Sequence, residues 1–135
     1  MSQYDTDIEA AIKAMLGASI SLASLVGARI YLDTRPEADP LPAAVFEVIT
    51  NRQDNTATSE PEKWTARFQV NCMGNTAKNA VDVRKAVLQA CHRTSGSISG
   101  ISVIACIHEG SNGSSYDALV DIYTKPIDFI VHYWR

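Results

Sequence analysis

Lys63-Trp64-Thr65-Ala66-Arg67-Phe68-Gln69-Val70-Asn71-Cys72-Met73 alternates without a break. Trp64, Ala66, Phe68, Val70 and Cys72 fall on one side of an extended chain, and Thr65, Arg67, Gln69 and Asn71 fall on the other. Successive strand side chains point to opposite faces, so the pattern describes a strand with one face in a core and the other partly in water. Such a strand fits an antiparallel sheet packed by helices on one side. The flanking sequence supplies both the neighbouring strands and the helices.

Upstream, Thr6-Asp7-Ile8-Glu9 has the form of a capping box and predicts a first helix from there. Ile8, Ala11, Ile12, Met15, Leu16 and Ser19 share one face at helical spacing, with Asp7, Glu9, Lys13 and Ala14 directed elsewhere. Gly17 loosens this helix. A second helical piece, Ser21 to Val26, stops at Gly27, the residue best suited to a left-handed cap. Arg29 to Leu32 reads as a short strand. Asp33 to Pro42, with Pro36, Pro40 and Pro42, reads as an extended loop that can neither be helix nor pair well. Ala43 to Thr50 is a second strand, with Val45, Glu47 and Ile49 opposing Phe46, Val48 and Thr50. Both its faces carry apolar residues, which suits helices on one side and a neighbour on the other. Asn51 to Glu62 is almost wholly polar and exceeds the two to five residues of an ordinary hairpin connection.

Downstream, Gly74-Asn75-Thr76 provides a turn and a cap for a helix from Ala77 to about Arg93. Its apolar stripe is Ala77, Ala80, Val83, Val87, Ala90 and Cys91, and its polar side shows Lys78, Asp82, Lys85 and Gln89, with Asp82 one turn from Lys85. Ser95-Gly96-Ser97 stops it. Ile101 to His108 reads as a strand, Gly110 to Ser115 as a flexible connection, and Leu119 to Trp134 as a long final strand broken near Pro126, a residue for an edge or a bulge. The predicted fold is therefore α+β, a single domain over residues 1–135: an antiparallel β-sheet flanked by two main α-helices in the order helix-strand-strand-strand-helix-strand-strand, with residues 51–62 forming a polar hairpin arm.

Composition agrees. A chain of 135 residues, 46% hydrophobic and 20% charged, suffices for one core. The net charge of -3 lacks the basic excess that nucleic-acid binding exploits. Cys72, Cys91 and Cys106 are an odd set with apolar or small neighbours, read as buried reduced thiols and hence cytosolic synthesis. No signal peptide and no apolar run of membrane-spanning length is present, so neither secretion nor insertion is expected. Asn112-Gly113-Ser114, a glycosylation sequon by letter, is read as a turn.

Residues able to carry chemistry are scattered. His92, His108 and His132 have no metal-ligand spacing. Cys91 and His92 point about 100° apart on a helix, a poor start for a nucleophile and its base. Asp117, Asp121 and Asp128 form no cation-loop motif, and Gly110 to Ser115 lacks the Lys-Ser/Thr ending of a phosphate loop. Trp64, Arg67 and Phe68 alternate sides of one strand, so they offer no shared nucleic-acid platform. The expectation is no enzyme, no cofactor and no metal. Tyr133 and Trp134, two large aromatics at the end of the sequence, are expected to pack against something, Tyr133 within its own sheet or on a neighbour and Trp134, facing oppositely, on a neighbouring subunit.

Three stretches in this order, Leu25-Val26-Gly27-Ala28-Arg29-Ile30-Tyr31, Leu41-Pro42-Ala43-Ala44-Val45 and Ala66-Arg67-Phe68-Gln69-Val70-Asn71-Cys72, resemble the tail completion or tail terminator family of long-tailed bacteriophages. The helix Ala77 to Cys91 and the ending Ile127-Asp128-Phe129-Ile130-Val131-His132-Tyr133 extend the match over nearly the whole chain. The resemblance implies a virion protein of the tail and neck, assembled in the host cytoplasm as a homo-oligomeric ring, hexameric in such proteins. The ring would cap the tail tube, end tube polymerisation and provide the head-tail joining surface. A tail tube or head-completion protein (head-tail connector) of the same neck is the alternative. The implied partners are the tail tube protein and connector proteins, with DNA passing through the lumen without specific binding, eased by a mildly acidic protomer, and with no membrane involved. The candidate interface residues are Arg52, Gln53, Asp54, Glu60 and Glu62 of the polar arm, with Tyr133, Trp134 and Arg135.

Overall fold

A computed structural model of the chain describes residues 3–36, 40–53, 63–110 and 113–134. Among the described residues three helices and seven strands follow one another as α1 (Gln3–Gly17), α2 (Ile20–Val26), β1 (Ile30–Leu32), β2 (Ala43–Gln53), β3 (Lys63–Gly74), α3 (Ala77–Cys91), β4 (Thr94–Ile98), β5 (Ile101–Gly110), β6 (Ser115–Asp117) and β7 (Ile122–Trp134). The strands form one sheet in the order β1-β2-β3-β7-β5-β4, with β6 paired to the near end of β7. All pairings are antiparallel except β1 with β2, which run parallel. The α+β class is as expected; the sheet is mixed and larger than the five strands read from the sequence.

The centre of the sheet is the alternating stretch. β3 pairs with β7 over its full length, from Lys63 opposite Trp134 to Gly74 opposite Tyr123. Trp64, Ala66, Phe68, Val70 and Cys72 are buried and the residues between them are half-buried. Ile127, Phe129, Val131 and Tyr133 of β7 join them beneath α1 and α3, whose Ile8, Ile12, Leu16, Val83 and Val87 complete the core. Phe68 and Phe129 stack with centroids 5.2 Å apart.

Several local expectations change in the structure. Helix α1 starts at Gln3, so the Thr6–Glu9 pattern lies inside it and does not open it. Glu9 is buried, because α1 is covered by α2, α3, β1, β2, β4 and β5, a wider embrace than a one-sided stripe assumes. Ser19, expected on the buried face of the first helix, is instead the cap of α2: its Oγ accepts from the Leu22 N–H at 3.1 Å. The chain bends by 86° there. Among the described residues no single helix is long and apolar enough to cross a membrane. Gly27 closes α2 at φ 60°, as its position suggested. Thr76 caps α3 by accepting from the Asn79 N–H. On α3 itself Ala77 is exposed and Ala86 takes a place in the buried stripe, while the ion pair is Lys78 with Asp82, not Asp82 with Lys85.

Ser95-Gly96-Ser97 does not stop the helix, which ends at Cys91 with His92 as its cap; the tripeptide is the middle of β4. Ser99 and Gly100, at φ 49° and 80°, form a two-residue turn with both centres left-handed, the geometry that matches hairpin twist. Pro126 does not break β7. It lies between the last β5 pairing, at Asp128, and the first β6 pairing, at Thr124, so on that side it occupies an edge. The polar arm begins later than expected: Asn51 to Gln53 continue β2, and residues 54–62 lie outside the described residues.

Gly74 is held by close approach. A methyl group there would stand 2.8 Å from the Ala80 nitrogen and 2.8 Å from the Asn79 Cβ. The neighbours are the first turn of α3, which cannot yield independently. Gly74→Ala is expected to lift that turn and cost about 1–3 kcal/mol, read as a lower urea midpoint at unchanged m-value.

Candidate assembly surface

Helices cover one face of the sheet, and among the described residues no helix covers the other. Across the open face the register sets three rows: Glu47, Gln69 and Asp128; Thr50, Arg67, Ile130 and Ile107; Arg52, Thr65, His132 and Ala105. At the rim Trp134 stands between Lys63 and Ser102. The β3 part is a closed polar network. Asp128 accepts from Arg67 Nη2 and from Gln69 Nε2, each at 2.8 Å, and these two side chains leave it only 2% exposed. The hydrogen bond from Arg67 to Asp128 and the carboxylate charge raise the guanidinium pKa further. Thr65 Oγ1 and His132 Nδ1 share a hydrogen bond of 3.0 Å.

The β5 part is apolar. Ile107 is 41% exposed beside the half-buried Ile130. Ile104, 39% exposed, is the extra residue of a bulge between Val103 and Ala105. Ile49 is likewise the extra residue of a bulge in β2 and points outward. An alternation reading of one residue per step misses both.

Of the interface residues expected from the sequence, Arg52 and Gln53 are exposed at the end of β2. Asp54, Glu60, Glu62 and Arg135 lie outside the described residues. Tyr133 supplies no surface: it is fully buried, its hydroxyl donates to Asn51 Oδ1 at 2.6 Å, and its ring stacks on Trp64. Trp134 faces the other way and is half-buried. The ladder places Gln53 and Lys63 at the same end as Trp134, so the fold gathers residues 81 and 71 positions apart in sequence into one rim.

A second exposed element was missed in the sequence. The hairpin of β6 and β7 projects past the sheet, stiffened by Tyr116 against Tyr123 at 4.4 Å and by the Tyr116 hydroxyl donating to Asp121 Oδ1 at 2.8 Å. Its tip carries Leu119, 96% exposed, and Val120. Asp117-Ala118-Leu119-Val120-Asp121 lacks the Gly or Pro that announces a turn, so it read as the start of the last strand.

The groups considered for chemistry stay apart or stay inert. His108 N–H donates to His92 Nδ1, and His108 packs on Phe129. Among the described residues no group of His, Cys, Asp or Glu is placed to hold a metal ion. The three cysteines are buried and free. Burial pushes the Cys72 and Cys106 thiols up to about 12 and Cys91 well above its usual value, the direction opposite to a nucleophile's. These groups keep their protons in the folded state after the unfolded chain has begun to lose them. Their stabilising effect is therefore complete below pH 9 and is lost as pH rises from there towards about 12. Thiol alkylation at pH 8 is expected to be negligible until denaturant is added, then to reach all three residues, as counted by mass.

A small protomer with one sheet face uncovered by the described helices, an aromatic rim and a projecting apolar hairpin has the form of a structural subunit of an assembly. The chain belongs to the tail completion protein gp17 family, which matches residues 10–130, and is a structural protein of the phage tail region, located in the virion. Its fold is similar over 100% of both chains to a component of the virion of a native gene transfer agent particle, with a TM-score of 0.74 and 16% identity. No curated protein sequence matches it.

Proposed function

We propose that the protein acts as a ring, hexameric as in the tail terminators it resembles. The ring caps the tail tube, ends its polymerisation and presents the joining surface to the head-tail connector. The observation that carries this reading is the sheet face that the described helices leave uncovered, with its rim of Arg52, Gln53 and Trp134. The polar arm read over residues 51–62, whose described part, Asn51 to Gln53, ends β2 at that rim, is assigned by the same proposal to face the tube or the connector. The protomer does its work by fit, not by catalysis, and DNA crosses the lumen without specific contacts. A ring follows when a head-to-tail interface closes after a whole number of copies.

Native mass measurement of the purified protein, alone and after mixing with tail tubes, tests the reading. Closed rings bound once per tube end are expected, and particles lacking the protein should show headless tails of uncontrolled length. Copies distributed along the tube, or located in the head, would instead identify a tube or head-completion subunit. A protomer that never associates and is absent from particles would end the proposal.

A further inference from the structure

We infer that the tip of the β6–β7 hairpin is the plug of the ring interface, seated in a groove of the next copy of this chain between α1, α2 and α3. The inference rests on the ring reading above and names the contact through which the ring closes. The groove is about 280 Å³ and is lined by Met15, Ala18, Ser19, Ser21, Gln89 and Ala90. An apolar vacancy left by one large core side chain is on the order of 150 Å³, so the groove has room for Leu119 and much of Val120. No charged residue lines it. Ile20, 88% exposed between two of the lining residues, adds an apolar lip.

Charge makes the match specific. Asp117 and Asp121 flank the tip, both exposed. Lys85 lies one helical turn before Gln89 on the exposed side of α3, and Arg93 follows Ala90 at the helix end, also exposed. An apolar knob with an acidic collar thus faces a groove that is apolar at Met15, Ala18 and Ala90, polar at Ser19, Ser21 and Gln89, and flanked by basic residues, and the charge complementarity sets register and partner choice.

Position forbids the contact within one protomer. Tyr123, at the base of the hairpin, lies opposite Gly74, which packs under Asn79 and Ala80 in the first turn of α3. The groove is near the other end of that helix, at Gln89 and Ala90. At 1.5 Å per residue the two features are separated by roughly 15–20 Å along α3. A knob and a hole at opposite ends of one body make a heterologous contact, which propagates around a ring when its rotation closes. The hairpin's internal bonds, Tyr116 to Asp121 and Leu119 N–H to Asp117 Oδ1 at 3.0 Å, fix the tip before docking and so lessen the ordering cost.

The test pairs disruption with cross-linking. Leu119→Asp should leave the thermal transition in place, since the side chain touches solvent, and should raise the concentration for half-assembly at least tenfold. Leu119→Cys and Ala18→Cys proteins, mixed and treated with a short bismaleimide, should give dimers joining one of each; neither alone should. The native thiols, being buried, do not compete. Wild-type rings that persist with Leu119→Asp, together with no mixed cross-link, overturn this contact and leave the ring reading standing. A wild-type protein that never assembles, with no cross-link, overturns both. Cross-linking of Leu119→Cys to the tail tube protein in place of a second copy would reassign the plug.

Discussion

Phe129→Ala is expected to cost about 3–5 kcal/mol, enough to bring the protomer close to its folding limit when total stability is about 5–15 kcal/mol. Phe129 is fully buried at the centre of β7, stacked on Phe68 and touching His108. Its loss opens a cavity beneath both helices that β3 and β5 cannot close, because the ladders on either side fix their spacing. Urea unfolding measures the loss. The double variant with Phe68→Ala should lose less than the sum of the two, by about 0.5–1.5 kcal/mol, if the rings are coupled as their geometry indicates. Full additivity would mean that the stacking contributes no more than area.

Arg67→Leu is the second large effect. It strips the buried Asp128 carboxylate of its cation and of one of its hydrogen bonds. Breaking a buried pair from one side costs about 3–5 kcal/mol, but the Arg67 side chain is 44% exposed, so water already screens part of the interaction. The expected result is a clearly lower urea midpoint, by less than the breaking of a fully buried pair would give. Arg67→Leu with Asp128→Leu should recover most of the drop, since no buried charge is then stranded. If the double variant is as unstable as Arg67→Leu alone, the network matters for shape and not for charge compensation.

The alternating run Trp64 to Cys72 was legible because its five inward residues are apolar and its outward residues are polar, with no bulge between them. The Thr76 cap and the Gly27 stop were legible because each depends on one local hydrogen-bonding or backbone requirement. β4 was not, because Thr94-Ser95-Gly96-Ser97-Ile98 has turn composition; it is a strand only because β5 lies beside it, a tertiary effect no local propensity carries. Pro126 was read too strongly, since a proline forbids pairing only on the side where a partner exists. On the uncovered face, Arg52 is exposed and Trp134 half-buried, the positions that polarity and end position indicated. Ile49, Ile104 and Leu119 were hidden: two are bulge residues that shift the alternation by one, and the third sits in a tip without turn residues. Tyr133, open in the sequence between its own sheet and a neighbour, belongs to the sheet, where the ladder puts it on the buried face.

The position of β7 between β3 and β5 has a temporal consequence. β7 is translated after the other six strands of the sheet, so until it has emerged β3 and β5 each carry a bare edge and share no partner. The two halves of the sheet therefore join late and together, and a product truncated before β7 keeps two open edges able to pair with other chains.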